Sequence, residues 1–383
     1  LSSKIGFIFS ILAREFIISK FVYSFLFIIL NICTLYILKM KKINWGIIGL
    51  GNIANKFADG FSNIDNASIK GIASLNENKL QSFKKKFKVD DKFCFDNYED
   101  LISSPSIDII YIALPHSLHA KYISDSVNKK KNVLVEKPAF TNFKDLTILK
   151  DSLKEEKFFF TEAFMYRYLP YFLRVKEIIN SNTLGKIVNM QSTFNIKVYK
   201  QRNFFGIKIN KPDYSNRLFN KKLGGGAILD VGCYPLSFST FINSLTYNVE
   251  LKDIILENVH SEYCENGVDI FSNLTLNFGN KFNSQITCSF KDKLNQKTII
   301  NFEQGSLIIN QSWVPDQKMV IEQKKGNEIS KIDFRNNENI YSYQIQNISN
   351  QILNKKTTPN FPSMTLEEIE MNTKILSDWI NLG

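Results

Sequence analysis

The sequence predicts an α/β protein whose first half forms a doubly wound parallel sheet. An apolar run at residues 43–48 leads into a glycine-rich turn and then into a helical pattern. Strand-like and helix-like runs alternate from there to residue 161, as they do in parallel sheets covered by helices on both faces. Two of the strands end abruptly in polar residues, at the edge where such sheets bind ligands.

The composition fits a globular protein of about two domains. The chain has 383 residues, of which 44% are hydrophobic and 22% charged. Its net charge of +11 comes from scattered lysines without a recognisable nucleic-acid module, so we expect no nucleic-acid partner. The five widely spaced cysteines, without a C-x-x-C pair, indicate neither a disulfide framework nor a zinc site and favour the cytoplasm. His116 and His119 have metal-like spacing without a third ligand nearby, so we expect no metal.

Residues 1–42 form a hydrophobic extension that differs from the rest of the chain. The uncharged run at residues 21–38 is just long enough to span a bilayer and would make a membrane anchor. Basic residues flank it on both sides, so the positive-inside comparison only weakly favours a cytoplasmic catalytic part. The alternative is a misplaced start, with translation beginning at Met40, and we favour it.

The glycine-rich turn has the pattern of a dinucleotide-binding loop, G-x-G-x-x-A, between a strand and a helix. Gly49 permits the tight turn, Gly51 lets the backbone approach a pyrophosphate, and Ala54 lets the helix pack on the strand. Asn52 and Ile53 begin the helix, whose free N–H groups and positive dipole end favour phosphate.

The end of the second strand leaves the choice of cofactor open. An acid there would accept the ribose 2′-hydroxyl of NAD, and an arginine would meet the 2′-phosphate of NADP, but neither is present. Ser74 and Asn76 could bind a phosphate, Glu77 could bind the ribose, or all three could simply begin the next helix.

Two further strand ends carry the candidate chemistry. The strand at residues 107–114 ends in Pro115 and His116, beside the ligand crevice. The run at residues 132–135 ends in Glu136, Lys137 and Pro138. Lysine and glutamate are rarely buried unless paired or functional, and an X-Pro bond beside them can be cis, so this strand end is the principal candidate site.

Taken in order, these motifs and later ones resemble the Gfo/Idh/MocA family of nucleotide-dependent sugar oxidoreductases, most closely its branch of dimeric dihydrodiol dehydrogenases and NADP-linked xylose dehydrogenases. The resemblance extends from about residue 43 to the C-terminus. It rests on the Gly49 fingerprint, the Pro115 to Ala120 motif, the Glu136-Lys137-Pro138 hallmark, and the segments at residues 162–170, 215–219 and 223–235.

The resemblance implies a Rossmann domain at residues 43–163 and an α+β domain at residues 164–383 with an open, mainly antiparallel sheet. One face of that sheet would carry the substrate pocket and the other a contact in a homodimer or higher homo-oligomer. Compatible strand-like runs occur at residues 187–198, 251–259, 269–278, 284–290, 297–302 and 306–309, and residues 365–380 have a helical pattern with a capping-box signal.

The resemblance also implies an NAD(P)-dependent dehydrogenase that acts on a hydroxyl of a pyranose or related cyclic diol. Tyr234 would take the hydroxyl proton, Lys137 would lower the pKa of Tyr234, and Asp230 would share one helical face with it. The cofactor is NADP or NAD; Leu75 stands where NADP-binding members have an arginine, and Met165 stands where the branch has a tryptophan. The predicted cofactor-binding residues are Gly49, Gly51, Asn52, Ile53, Ser74, Pro115, His116, His119, Glu136, Lys137 and Arg167.

Two alternatives to a dehydrogenase stay open. Some relatives with this fold use tightly held NAD to hydrolyse glycosidic bonds. A non-catalytic nucleotide-binding sensor on the same scaffold is the other alternative, although such a protein does not need Lys137, Asp230 and Tyr234 together.

Overall fold

The protein is described by a computed structural model that covers residues 41–154, 158–198, 200–204, 207–291, 294, 296–314, 318–335 and 338–383. The hydrophobic run at residues 21–38 and the candidate start at Met40 lie outside the described residues. Among the described residues, no helix combines the length and the hydropathy needed to cross a bilayer.

The first sheet is parallel, as the sequence predicts. Its strands are β1 (Ile43–Ile48), β2 (Ala67–Ala73), β3 (Cys94–Phe95), β4 (Ile109–Ile112), β5 (Asn132–Val135) and β6 (Phe160–Glu162). They pair in the order β3-β2-β1-β4-β5-β6, with every neighbouring pair parallel. The strand order reverses between β1 and β4, so the ligand crevice is expected at their carboxyl ends.

Helices cover this sheet. They are α1 (Asn52–Asp59), α2 (Glu77–Phe87), α3 (Tyr98–Ser103), α4 (His119–Asn128) and α5 (Phe143–Lys154). Between the layers, Trp45, Ile47 and Tyr111 are fully buried. Strands buried on both faces read as continuous apolar runs, which is why the sequence pattern identified them.

The second sheet is larger and mainly antiparallel. Its strands are β7 (Ile187–Asn195), β10 (Ile254–Tyr263), β11 (Asp269–Phe278), β12 (Phe282–Ser289), β13 (Lys297–Phe302), β14 (Gly305–Asn310), β15 (Lys318–Lys325) and β16 (Glu328–Arg335). The order is β10-β11-β12-β7-β13-β14-β15-β16, and within it β7 and β12 pair in parallel. A separate hairpin joins β8 (Lys200–Phe204) to β9 (Ile207–Lys211).

The remaining helices are α6 (Pro170–Asn180), α7 (Cys233–Leu245), α8 (Ile340–Leu353) and α9 (Leu366–Leu382). The capping box predicted for the last helix is confirmed: Thr365 Oγ1 accepts a hydrogen bond from Glu368 N, and Glu368 Oε2 accepts one from Thr365 N. The helix α8 was not predicted, and it packs back on the first domain through β1, β2 and α1.

Candidate active site

One large cavity of about 1010 Å³ lies along the carboxyl ends of the parallel strands and reaches the second domain. Asp230, Tyr234 and Arg217 of the second domain line it. Nine of the predicted cofactor-binding residues line it as well: Gly49, Gly51, Asn52, Ile53, Ser74, Pro115, His116, Glu136 and Lys137. The structure therefore brings together almost all of the residues that the sequence singled out.

The glycine loop is built for close approach at the middle of this cavity. Gly49 has a φ of +85°, and a Cβ there would lie 2.5 Å from the carbonyl oxygen of Ala113, so glycine is required. Gly51 precedes the first residue of α1, and a Cβ on it would meet nothing within 4 Å. Because no side chain covers them, the first N–H groups of α1 are open to a phosphate.

The end of the cavity near β2, here called the outer end, is polar and solvent-exposed. Ser74 Oγ accepts a hydrogen bond from Asn76 N, and Asn76 Oδ1 caps α2 by accepting one from Lys79 N. Leu75 is 70% exposed, and Lys79 lines the cavity one turn into the helix. Glu77 accepts a hydrogen bond from Gln81 and does not line the cavity, so the contact of Glu77 with the ribose stays a prediction that the cavity does not support.

The opposite end, here called the inner end, is closed by Lys137 and the second domain. Lys137 Nζ donates a hydrogen bond of 2.6 Å to the main-chain oxygen of Asp230 and lies 3.9 Å from that residue's Oδ1. It also lies 4.7 Å from the centre of the Tyr234 ring. The peptide bond that follows it, Lys137–Pro138, is cis. The charged strand end thus meets its predicted partners across the domain boundary.

A π-helical turn over Ile228–Gly232 presents the second-domain partners at the start of α7. Such wide turns occur often at functional sites, since they change which groups the helix exposes. Here the Asp230 main-chain oxygen accepts from Lys137, its side chain accepts from Arg217 Nη2 at 3.1 Å, and Tyr234 follows four residues later on the same side of the cavity.

The glycine run before this turn is tightly packed. Gly224 has a φ of +74°, and a Cβ there would lie 2.8 Å from Cβ of His116. At Gly226, with a φ of +123°, a Cβ would lie 2.0 Å from a carboxylate oxygen of Asp269. The other oxygen of that carboxylate accepts a hydrogen bond from Ile228 N at 2.7 Å. Gly224 and Gly226 therefore need to be glycine, because each has a positive φ and no room for a Cβ, and they allow the chain to pack closely before the π-helical turn.

Burial and neighbouring charges set the protonation states of Asp230 and Tyr234 at the inner end. Burial alone would raise the pKa of Asp230, but the charges of Lys137 and Arg217 hold it below its usual value. Burial, followed by the Glu136 carboxylate, raises the pKa of Tyr234 well above the ordinary value. The expectation that Lys137 lowers the pKa of Tyr234 does not hold in this structure, because the ammonium faces the ring while the hydroxyl donates to Met165 Sδ at 3.7 Å.

His116 links the two domains inside the cavity. Its Nδ1 lies 2.8 Å from the main-chain oxygen of Gly224, and since a carbonyl only accepts, Nδ1 carries the proton. Burial lowers the pKa of His116 to about 3, so the ring is neutral and Nε2 is an acceptor.

Two predicted cofactor contacts lie outside the cavity. Both ring nitrogens of His119 face main-chain oxygens, of Pro138 at 2.9 Å and of Leu114 at 3.0 Å, so the fully buried imidazole joins two loops behind the site. Arg167 donates to Glu368 at 2.7 Å and to the main-chain oxygen of Pro362 at 3.0 Å. Neither side chain lines the cavity, and Arg167 Nη1 is buried without a hydrogen-bond partner among the described residues. The cavity therefore gives no support to the prediction that His119 and Arg167 contact the cofactor.

The structure also adds site residues that sequence reasoning missed. Lys79, Asn216 and Tyr341 line the cavity. Among the described residues, no group of three or more His, Cys, Asp or Glu side chains is placed to hold a metal ion. The residues present fit a dinucleotide: an uncovered helix start, a polar outer end and a buried inner end with paired charges.

Comparisons with known proteins agree with this geometry. Residues 43–164 match the oxidoreductase family with an NAD-binding Rossmann fold, and residues 172–308 match the GFO/IDH/MocA C-terminal domain. The chain is 24% identical to the trans-1,2-dihydrobenzene-1,2-diol dehydrogenase of Xenopus tropicalis over 341 residues, which cover 87% of this chain and 96% of that protein. It is 30% identical to the oxidoreductase P35 of Formosa agariphila over 61% of this chain and 70% of that protein.

Among solved structures, a 3-ketoreductase from Actinomadura kijaniata in complex with NADP and TDP-benzene superposes with a TM-score of 0.73. The match covers 88% of this chain and 96% of that one at 19% identity. A likeness at this identity establishes the shared two-domain fold.

Proposed function

Since the chain belongs to the Gfo/Idh/MocA family of NAD(P)-dependent oxidoreductases, we propose that it transfers a hydride between the nicotinamide of its cofactor and a hydroxyl-bearing carbon of a pyranose or related cyclic diol. The simplest such reaction oxidises an anomeric hydroxyl to a lactone. One observation carries the proposal: Lys137, Asp230 and Tyr234 converge, from two domains, at the buried end of the cavity that begins at the glycine loop.

When bound, the cofactor supplies the hydride chemistry, and the chain supplies the proton transfer and the electrostatics. Lys137 Nζ lies between Asp230 and Tyr234, where an ammonium can donate to a substrate oxygen and stabilise developing negative charge. Asp230, held ionised by Lys137 and Arg217, keeps both cations in place. The inner end thus places a fixed cation beside the reacting oxygen.

Tyr234 is the proton-transfer group in this proposal. Its raised pKa keeps the proton on the hydroxyl at neutral pH, so it is poised to donate to an oxyanion when a ketone or lactone is reduced. In the oxidising direction the same oxygen takes the hydroxyl proton, which requires Lys137 to face the hydroxyl when substrate is present. The oxidation therefore becomes faster as pH rises.

We further propose NADP as the preferred cofactor. The outer end lacks the acid that would bind the 2′-hydroxyl of NAD, because Ser74 and Leu75 follow β2. Lys79 lines the cavity at this end, so it offers a cation to a 2′-phosphate where the resemblance leads one to expect an arginine at Leu75. The similarity to a 3-ketoreductase solved with NADP supports the same choice.

Two further proposals concern the oligomeric state of the protein and its cellular compartment. We propose a homodimer or higher homo-oligomer formed by the open face of the eight-stranded sheet, which size-exclusion chromatography with light scattering would test. Cys94, Cys233, Cys264 and Cys288 are free thiols, which supports a reducing compartment such as the cytoplasm.

The function is tested by incubating the purified protein with NADP or NAD and a panel of pyranoses and cyclic diols. We expect the absorbance of the reduced nicotinamide to rise with at least one of these compounds, and faster with NADP. Release of sugar from a glycoside without net cofactor reduction would overturn the proposal in favour of a hydrolase. Quenching of NADPH fluorescence without turnover of any compound would overturn it in favour of a sensor.

A further inference from the structure

A helix from the second half of the chain completes the inner end of the cavity. α8 follows β16 in sequence, yet it is fastened to the first domain by side-chain hydrogen bonds at both ends. Ser342 Oγ donates to the main-chain oxygen of Gly60 at 2.7 Å, and Ser349 Oγ accepts from Trp45 Nε1 at 3.0 Å. Both serines are almost fully buried, so the position of the helix on the first domain is well defined.

Tyr341 lies in the first turn of α8 and lines the cavity. Its ring packs edge-on against Phe57 of α1, with 6.1 Å between the ring centres. The side chain is 8% exposed. Its hydroxyl is not among the fully buried atoms, and it makes no hydrogen bond to another residue in the described part of the chain. A largely buried tyrosine normally satisfies its hydroxyl, so this one is available to a ligand in the cavity.

Glu136 faces the same region. One of its carboxylate oxygens accepts from the Tyr111 hydroxyl, and the other accepts from Lys137 N at 3.3 Å. It also lines the cavity. The two residues share neighbours: the Phe57 ring on which Tyr341 packs is stacked on Tyr111, with 3.8 Å between the ring centres, and Tyr111 donates to Glu136. Burial raises the pKa of Tyr341 above its usual value, and the Glu136 carboxylate raises it further.

The nicotinamide ring should lie at this end. The sheet reverses its strand order at β1 and β4, the pyrophosphate site is at Gly51, and the adenosine belongs at β2. The inner end, which both Glu136 and Tyr341 line, is then the place for the nicotinamide. A primary carboxamide carries one acceptor oxygen and an NH₂ donor, and this pair offers a hydroxyl donor beside a carboxylate acceptor.

We infer that Tyr341 and Glu136 together bind the carboxamide of the nicotinamide: the Tyr341 hydroxyl donates to its oxygen, and the Glu136 carboxylate accepts from its nitrogen. The inference rests on the proposed function and adds to it a cofactor contact from outside the Rossmann segment. The first domain alone would therefore lack one of its own cofactor-binding residues.

The test compares Tyr341→Phe with Tyr343→Phe, the same change two residues further along α8 at a half-buried side chain outside the cavity. Dissociation constants are measured by calorimetry on the full chain for NADPH and for adenosine 2′,5′-bisphosphate, which has no nicotinamide. We expect Tyr341→Phe to weaken NADPH binding roughly 3- to 10-fold, the effect of one hydrogen bond, and to leave the bisphosphate unchanged. Tyr343→Phe should change neither constant.

The acceptor half of the inference is tested with reduced 3-acetylpyridine adenine dinucleotide phosphate, in which a methyl group replaces the carboxamide NH₂. Tyr341→Phe should weaken this analogue as much as NADPH, whereas Glu136→Gln should reduce the preference of the protein for NADPH over the analogue. Unchanged NADPH affinity in Tyr341→Phe, or an equal loss for the bisphosphate, would overturn the inference. If the wild-type protein binds NADPH but reduces no substrate, the proposed function fails instead.

Discussion

The two ends of the cavity differ in how far their polar and charged groups are exposed to water. At the outer end, Leu75 is 70% exposed, and Asn76 and Lys79 are exposed as well, although Ser74 is buried. At the inner end, Lys137 and Asp230 have side chains that are 12% and 9% exposed. Charges near water are screened, whereas charges in a dry site interact strongly and shift each other's pKa values. The outer end is therefore suited to selecting a cofactor, and the inner end to chemistry.

The largest effect should come from Lys137, whose ammonium contacts both Asp230 and Tyr234. Lys137→Met should lower turnover by roughly 10² to 10⁴, because the cation beside the reacting oxygen is lost, while the dissociation constant for NADPH stays largely unchanged. Steady-state kinetics and calorimetry on the same preparation check this. Turnover close to wild type would show that the chemistry is not at the inner end.

Tyr234→Phe should cost roughly 10² to 10⁴ in turnover and should also change the pH profile. Since burial raises the pKa of the Tyr234 hydroxyl, the deprotonated form needed to oxidise a substrate becomes more abundant as pH increases. The wild-type oxidation rate should therefore increase from pH 6 to pH 10, and the variant should lose this dependence. An unchanged slope in the variant would assign the proton transfer to another group.

The outer end should give a smaller effect, on cofactor choice alone. Lys79→Ala should reduce the preference for NADP over NAD about fivefold, since an exposed charge–phosphate contact contributes about 1 kcal/mol. Lys85→Ala is the matched control, because Lys85 is exposed on the same helix outside the cavity. Specificity constants for both cofactors check this, and equal effects of the two variants would remove Lys79 from the site.

The smallest effect concerns stability near the inner end. Glu162 is buried behind the loop that follows Lys137 and accepts a hydrogen bond from Ala139 N at 2.9 Å, and burial raises its pKa to about 8. The unfolded chain releases this proton near pH 4, so the native state loses stability as pH rises from there through 8.

Glu162→Gln lacks this titration and keeps an oxygen for Ala139 N. Its free energy of unfolding relative to wild type should increase between pH 5.5 and pH 8.5, as measured by urea denaturation. A difference that stays constant with pH would mean that Glu162 is ionised in the native state.

The first sheet could be predicted from the sequence because its strands are buried on both faces, and strand positions such as those around Trp45 and Tyr111 read as apolar runs. The glycine loop and Lys137 were identified for a similar reason, since each breaks such a run. In contrast, the edge strand β16 was missed because six of its eight residues are exposed and no buried alternation marks it.

Local sequence patterns also do not reveal which distant segments of the chain pack together. Tyr341 was missed because α8 itself was not predicted, and nothing in residues 340–353 indicates that this segment returns to the first domain. The pairing of Arg167 with Glu368 could not be predicted either, because the two residues are 201 positions apart in the chain. The direction in which Lys137 faces Tyr234 is likewise a property of side-chain packing between domains.

The central claim, hydride transfer at the inner end, is tested most directly with isotopes. A pyranose or diol that is turned over is prepared with deuterium on the carbon that bears the reacting hydroxyl, and the reduced cofactor is analysed by mass spectrometry. We predict that each molecule of reduced cofactor carries one deuterium, in the wild-type protein and in the residual activity of Lys137→Met. Reduced cofactor that contains only protium would contradict the account.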